Sequence, residues 1–294
     1  MTKSRFEDPT GIALLGLLGI VWGTTFPVVR WGIDAGANPF AMVVVDFGIA
    51  ALLTASVAAV RRSPRPSVRD LAISMAVGGL LIGGTNLTLF WGEQFSTGGA
   101  AAIVYAAAPL VSTVAALGLG VRAGLSRWQS SALAIGLAGV VVLALTTSGT
   151  SVLHNLWAIA AFALGAACQG SGAVLLAWVR PSGEGPWGLS FQFLGASATA
   201  LVLWPLLPYP FSLPLRIPVV GAIAFVALGT GTAGYLVYFE LIRRSGPVRA
   251  NVVTYVNPVV ALLTGVLIFH EPFKLIELVG LAIILVALVF LERE

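Results

Sequence analysis

Ten apolar stretches, each near the ~20 residues a helix needs to cross a hydrocarbon core, follow one another along this chain with only short charged or proline-rich connections between them. That leaves no room for a soluble domain. In hydrocarbon the backbone N–H and C=O groups must be satisfied within each stretch, so the stretches are helices. Placing breaks at the charged and proline-rich positions predicts spans over 11–33, 39–60, 68–91, 98–120, 127–147, 154–179, 187–207, 216–241, 248–270 and 273–291. With 58% hydrophobic and 10% charged residues, the composition lies far from that of a soluble globular domain. The first stretch lacks the short apolar core and small-residue cleavage site of a removable leader.

Basic residues set the orientation expected of these spans, because cytoplasmic loops collect Lys and Arg near helix ends. With both termini cytoplasmic, thirteen of the sixteen basic residues fall on the cytoplasmic side; Arg216 and Lys274 fall outside, and Arg30 lies within the first span. They are scattered singly or in pairs and offer no continuous face for nucleic acid. Cys168 is the single cysteine, so no intramolecular disulfide forms.

Two stretches echo each other. VYAAAPLVST, from Val104 to Thr113, and VTYVNPVVAL, from Val253 to Leu262, each set a proline after a Tyr-containing apolar turn. Placing Pro109 on Pro258 puts Ser96 on Ser245, Ala101 on Ala250 and Leu110 on Val259. The chain therefore reads as two repeats, 1–147 and 148–294, forming one all-α integral membrane unit. Five helices per repeat is an odd number, so the second copy enters the membrane from the opposite side. Inverted repeats of this kind build carriers with a site near the midplane between the halves.

Several passages resemble the EamA-type carriers of the drug/metabolite transporter superfamily: LLGIVWGTTFPVVRWGI, PFAMVVVDFGIAALL, GGAAAIVYAAAPLVSTVAAL and GPVRANVVTYVNPVVALLTGVLIFHEPFKLIELVGLAIILVAL. The resemblance covers nearly the whole chain, and its most specific residues are Arg249, Asn257, Pro258, Glu271 and Glu277. It implies a ten-helix carrier of small metabolites, often working outward. Two positions depart from the family pattern: Ala123 stands where a Glu is often kept, and Asp46–Phe47 stands where an Arg-Phe pair is usual.

Ionisable groups inside spans are rare and face the interior, so each is a functional candidate. Asp46 lies roughly 12 Å into the second span at ~1.5 Å per residue. It pairs with Arg30 or contacts an ammonium or a proton, and the two roles are compatible. Arg30 itself either takes part in that pair or snorkels to the outer interface. Glu93 and Glu271 are expected as exposed caps at outer helix ends, and Glu240 as a structural partner of Arg243 and Arg244 at helical spacing.

A carrier cavity also needs aromatic walls and a few placed hydrogen bonds. Candidate substrate contacts, with Asp46, are Trp22, Thr25, Asn86, Tyr105, Gln169, Tyr235, Tyr238, Tyr255 and Asn257. Pro27, Pro109 and Pro258 are candidate hinges, since a proline frees the carbonyl four residues back. Trp91, Trp157, Trp178 and Trp187 read as interfacial belt residues. Glycine clusters in the third, sixth and eighth spans suit close, sliding helices.

No catalytic set is visible. His154 and His270 fall at helix ends, FHEPF lacks the second His of a zinc helix, and no GxSxG occurs. No metal, cofactor or nucleotide site is expected, nor the filter or charged rings of a channel. The reading is a monomeric secondary transporter of the cytoplasmic membrane, in contact with lipid and with protons as a candidate coupling ion. It exports amino acids or amine-bearing compounds by alternating access. The alternatives are another solute class (drug, nucleobase or sugar derivative) or a non-transporting scaffold or receptor.

Overall fold

The computed structural model describes residues 9–120, 152–179, 185–206, 210–245 and 250–271, with isolated positions at 127–138 and 275–286. The fifth predicted span, Ala123, Arg249 and Glu277 lie wholly or largely outside the described residues, as does much of the tenth. Among the described residues the chain is helical, and six helices are long and apolar enough to cross a membrane. We label the helices α1 (Pro9–Asp34), α2 (Pro39–Val60), α3 (Val68–Glu93), α4 (Gly98–Gly118), α5 (Val152–Val179), α6 (Pro186–Leu203), α7 (Ile217–Arg244) and α8 (Val256–Leu267).

Local signals explain where the helices start and stop. After α1 the chain turns at Gly36, whose φ of +98° favours glycine. Asn38 then caps α2 by accepting the amide of Ala41 at 3.0 Å, and Pro39 occupies the first turn, where no backbone N–H is needed. Ser67 and Thr97 cap α3 and α4 in the same way.

The interior helices are not regular. Gly79–Gly84 within α3 and Phe225–Gly234 within α7 are π-helical, and the two segments overlap when Pro109 is placed on Pro258. Just before Pro109, α4 breaks at Ala106–Ala107; just before Pro258, α8 is preceded by a 3-10 turn over Asn251–Tyr255. Pro27 instead sits inside the unbroken α1.

Helices of the two halves interleave. The second helix packs on α6, α3 on α5 and α6, and α1 on α7 and α8. Glycines let them touch. A Cβ on Gly83 would lie 2.9 Å from Ala196 Cα, and one on Gly98 would lie 2.9 Å from the Phe26–Pro27 backbone. A Cβ on Gly78 or Gly195 would run directly into the backbone of Gln192 or Met75. Large side chains such as Leu52, Val202 and Leu263 point outward, as a surface facing lipid requires.

Gly195→Ala should therefore overpack the α3–α6 crossing and cost about 1–3 kcal/mol or more. Gly16→Ala, whose new Cβ meets nothing within 4 Å, should be neutral or mildly stabilising. Thermal midpoints in detergent, read by size-exclusion, check the pair; equal midpoints would refute the close crossing.

Candidate functional site

Among the described residues two polar clusters stand out in the interior, and one of them lines a cavity. Trp22, Thr25 and Phe26 come from α1; Thr85, Asn86, Leu89, Phe90 and Glu93 from α3; Tyr105 from α4; Thr230 and Tyr235 from α7; Asn257 from α8. Together they line a cavity of about 30 Å³, the scale of a few waters.

Its walls are aromatic. The Trp22 ring lies 5.2 Å from that of Tyr235 and 4.9 Å from that of Tyr238, while Phe26 and Tyr105 are 5.9 Å apart. Gly234 makes space for the indole, since a Cβ there would come within 2.6 Å of Trp22 Nε1. That nitrogen donates to the Thr230 carbonyl at 3.3 Å, and the hydroxyls of Thr25 and Thr230 meet at 2.5 Å. Asn86 Nδ2 donates to Ile82 O at 2.9 Å and to the Tyr235 hydroxyl at 3.2 Å. Placing Pro109 on Pro258 puts Asn86 on Tyr235, so equivalent positions of the two halves hydrogen-bond each other.

Two groups in this wall are unsatisfied. Asn257 is fully buried, yet neither its amide nitrogen nor its oxygen has a hydrogen-bond partner. Glu93 is 1% exposed, and its Oε2 likewise has none. A buried polar atom without a partner costs about 1–3 kcal/mol, so both are poised for a ligand or water.

The second cluster is held by bonds among its own side chains, with Gln169 Oε1 left unpartnered. Asn251 Oδ1 accepts from the Tyr238 hydroxyl at 2.6 Å and from Gln169 Nε2 at 3.4 Å, and Asn251 Nδ2 donates to Ser112 Oγ at 2.6 Å. Ser112 in turn donates toward Ala108 O and Gly170 O. Four buried side chains thus tie α4, α5, α7 and the turn before α8 together. Gln169 and Tyr238 belong to this tie and not to the cavity wall. Asn251, its centre, was missed from sequence although it stands in the same proline motif.

The structure brings Trp22, Thr25, Asn86, Tyr105, Tyr235 and Asn257 together in the cavity and leaves the other predicted contacts outside it. Tyr255 is half-buried and off the wall. Asp46 is fully buried in α2 but not on the wall, and both carboxylate oxygens lack a hydrogen-bond partner. The expected Arg30–Asp46 pair is not formed. Arg30 grips Asp34 bidentately, Nε to Oδ2 at 3.0 Å and a terminal nitrogen to Oδ1 at 2.9 Å. Its other terminal nitrogen donates to the carbonyls of Glu93 and Ser96. A partner one helical turn away on the same helix needs no movement of α2, which explains the choice.

Glu93 also departs from its expected role as an exposed cap, because the end of α3 is held inside the bundle by Arg30. Glu271 is partly buried and its carboxylate meets the backbone amides of Gly98 and Gly99. Burial pushes this carboxyl above its ordinary range in spite of those amides. Glu240 does bind Arg243 and Arg244, at 2.8 and 2.5 Å. Trp157 and Trp178 are exposed; Trp91 and Trp187 are half-buried, Trp187 donating to the Ser63 carbonyl beneath Arg65.

An apolar helical bundle enclosing a small cavity, walled by aromatics and set with a few unsatisfied polar groups, is the construction of a membrane transporter. The chain belongs to the EamA-like transporter family, whose model matches residues 9–145 and again 156–293. It is 27% identical to the "Uncharacterized inner membrane transporter YedA" of Escherichia coli K12 over 92% of this chain and 87% of that protein. It is also 27% identical to a "Probable terminal-alkyne amino-acid exporter" of Streptantibioticus cattleyicolor, over 95% of this chain and 92% of that one. "Protein PecM" of Dickeya dadantii is 25% identical over 92% and 89%. A solved chain described as "Crystal structure of protein" superposes with a TM-score of 0.66 at 17% identity, covering 97% of this chain and 98% of that one, which speaks to fold alone.

Asn251→Ala should strand the Tyr238 hydroxyl and Gln169 Nε2, while Ser112 keeps its own donations, at about 1–3 kcal/mol for each group left unsatisfied. The thermal midpoint should fall well below that of Ser112→Ala, which strands fewer groups; equal midpoints would remove Asn251 from the centre of the tie.

Proposed function

We propose that this protein is a secondary carrier of the cytoplasmic membrane that exports small metabolites, amino acids or amine-bearing compounds, by alternating access. The observation that carries this reading is the cavity, to which both halves of the chain contribute and where Asn86 of one half meets Tyr235 of the other. Such a meeting of equivalent positions supports a pseudo-two-fold axis through the site, the arrangement that ten helices in two inverted five-helix repeats would produce. The name of the Streptantibioticus relative supports the substrate class and the direction.

The cavity is on the scale of a few waters, so a metabolite enters only when helices move apart. The breaks before Pro109 and Pro258 are where we place that motion, and the π-helical stretches of α3 and α7 give it slack. Pro27 is a weaker hinge, since α1 continues through it. Asp46, buried and without a partner, is the proposed site for a coupling proton, apart from the substrate. Both termini are placed in the cytoplasm by the distribution of basic residues, and one chain suffices for a monomeric carrier.

Counterflow of labelled amino acids and organic amines in proteoliposomes tests the reading. Trp22→Ala and Asn257→Ala should lower saturable uptake about tenfold or more, the scale of one lost contact at about 1.4 kcal/mol, with elution and helicity unchanged. Undiminished uptake in both would move the site elsewhere. Asp46→Asn should remove the pH dependence of uptake; a retained dependence would dismiss the proton role. Pro258→Ala should leave expression intact and slow turnover, and unchanged turnover would dismiss the hinge.

A further inference from the structure

Among the described residues, one carboxylate near the cavity is both on the wall and uncommitted. Asp34 is clamped by Arg30; Glu271, one of whose oxygens is also unpartnered, and Asp46 both lie off the wall. Glu93 remains, with Oε2 buried and without a partner. The positive charge of Arg30 lies close by, but no guanidinium nitrogen bonds the Glu93 carboxylate. The guanidinium spends Nε and one terminal nitrogen on Asp34, and its other terminal nitrogen on the main-chain carbonyls of Glu93 and Ser96. Besides Arg30, the described charges that act on it are Glu271 and Asp34, both negative.

The rest of the wall has a matching bias. Trp22, Phe26, Tyr105 and Tyr235 present aromatic rings to the space that Glu93 closes, and ring faces attract a desolvated cation. Among the described residues, no Lys, Arg or His lines the cavity. A ligand carboxylate there would lose its water with no cation to replace it, a heavy desolvation cost. Asn257, with both amide atoms unpartnered, suits a neutral hydrogen-bonding group such as a hydroxyl or amide on the same ligand.

We propose that the ligand of this cavity is an organic ammonium carrying no carboxylate, and that Glu93 is the residue that binds its charge. This rests on the carrier reading above and narrows it to the amine arm, assigning to Glu93 the contact that sequence had given to Asp46. An amino-acid zwitterion is then a poor ligand.

The test compares labelled phenethylamine with labelled phenylalanine, which share ring and ammonium and differ by the carboxylate, in counterflow by the full-length protein in proteoliposomes. A graded panel of unlabelled primary amines, from methylamine to spermidine, is run beside them as thermal-shift ligands on the detergent-purified protein. At least one amine should raise the thermal midpoint and compete or exchange. Glu93→Gln should weaken that amine tenfold or more, Glu93→Asp should restore part of the loss, and phenylalanine should be inert. If counterflow fails for every solute while the Glu93-dependent amine shift persists, the carrier reading falls and the site stands. Transport of phenylalanine as good as that of phenethylamine would overturn the inference and leave the carrier. So would the lack of any amine effect that depends on Glu93, provided the variants elute and melt as folded proteins.

Discussion

Inside hydrocarbon, no water waits to satisfy a polar group, so every buried donor and acceptor must find its partner within the protein. That constraint organises this molecule. The irregular backbone, two π-helical stretches and two breaks before prolines, lies in helices packed against helices of the other half. Many side-chain polar groups are closed into local ties, as Asn251 shows by gathering Ser112, Tyr238 and Gln169. Among the buried atoms without a partner, which include those of Asp46, Ser74 and Gln192, the ones of Asn257 and Glu93 stand out because they share one wall.

The same constraint shapes mobility. Close approach through Gly78, Gly83 and Gly195 gives dispersion contact without large side chains interlocking across the crossing. Helices joined in this way can shift relative to each other with few rotamer rearrangements. The cavity is too small for a metabolite, and the Arg30 clamp on Asp34, Glu93 and Ser96 holds the end of α3 against α1. Substrate passage requires that such contacts be exchanged for contacts with the ligand, which is how a ligand shifts a conformational equilibrium.

Much of the site was legible residue by residue. Trp22, Thr25, Asn86, Tyr105, Tyr235 and Asn257 were picked for being polar or aromatic at midplane depth, and depth is a one-dimensional property that counting from a helix end recovers. Rotation about the helix axis is not. Gln169 and Tyr238 stand at suitable depth but point to Asn251, and Asp46 faces α2's buried side without reaching the cavity. Thr230 was hidden in a glycine-rich run whose π-helical winding alters which side chains share a face. Glu93 was misjudged because an end-of-helix position says nothing about what packs over it; Arg30, reaching from another helix, decides that.

By itself the sequence determined that the chain lives in a membrane, that it is built of helices, where most of them begin and end, and that its halves echo each other. These follow from apolar run length, capping residues, prolines and spacing, all of them local or periodic. The tertiary structure alone decided the partners: Asp34 over Asp46 for Arg30, Asn251 as the hub of one cluster, and Glu93 as a wall of the other. Pairing depends on the azimuth and contact of helices far apart in the chain, and a hydrogen bond lost over a single ångström leaves no trace in the order of residues.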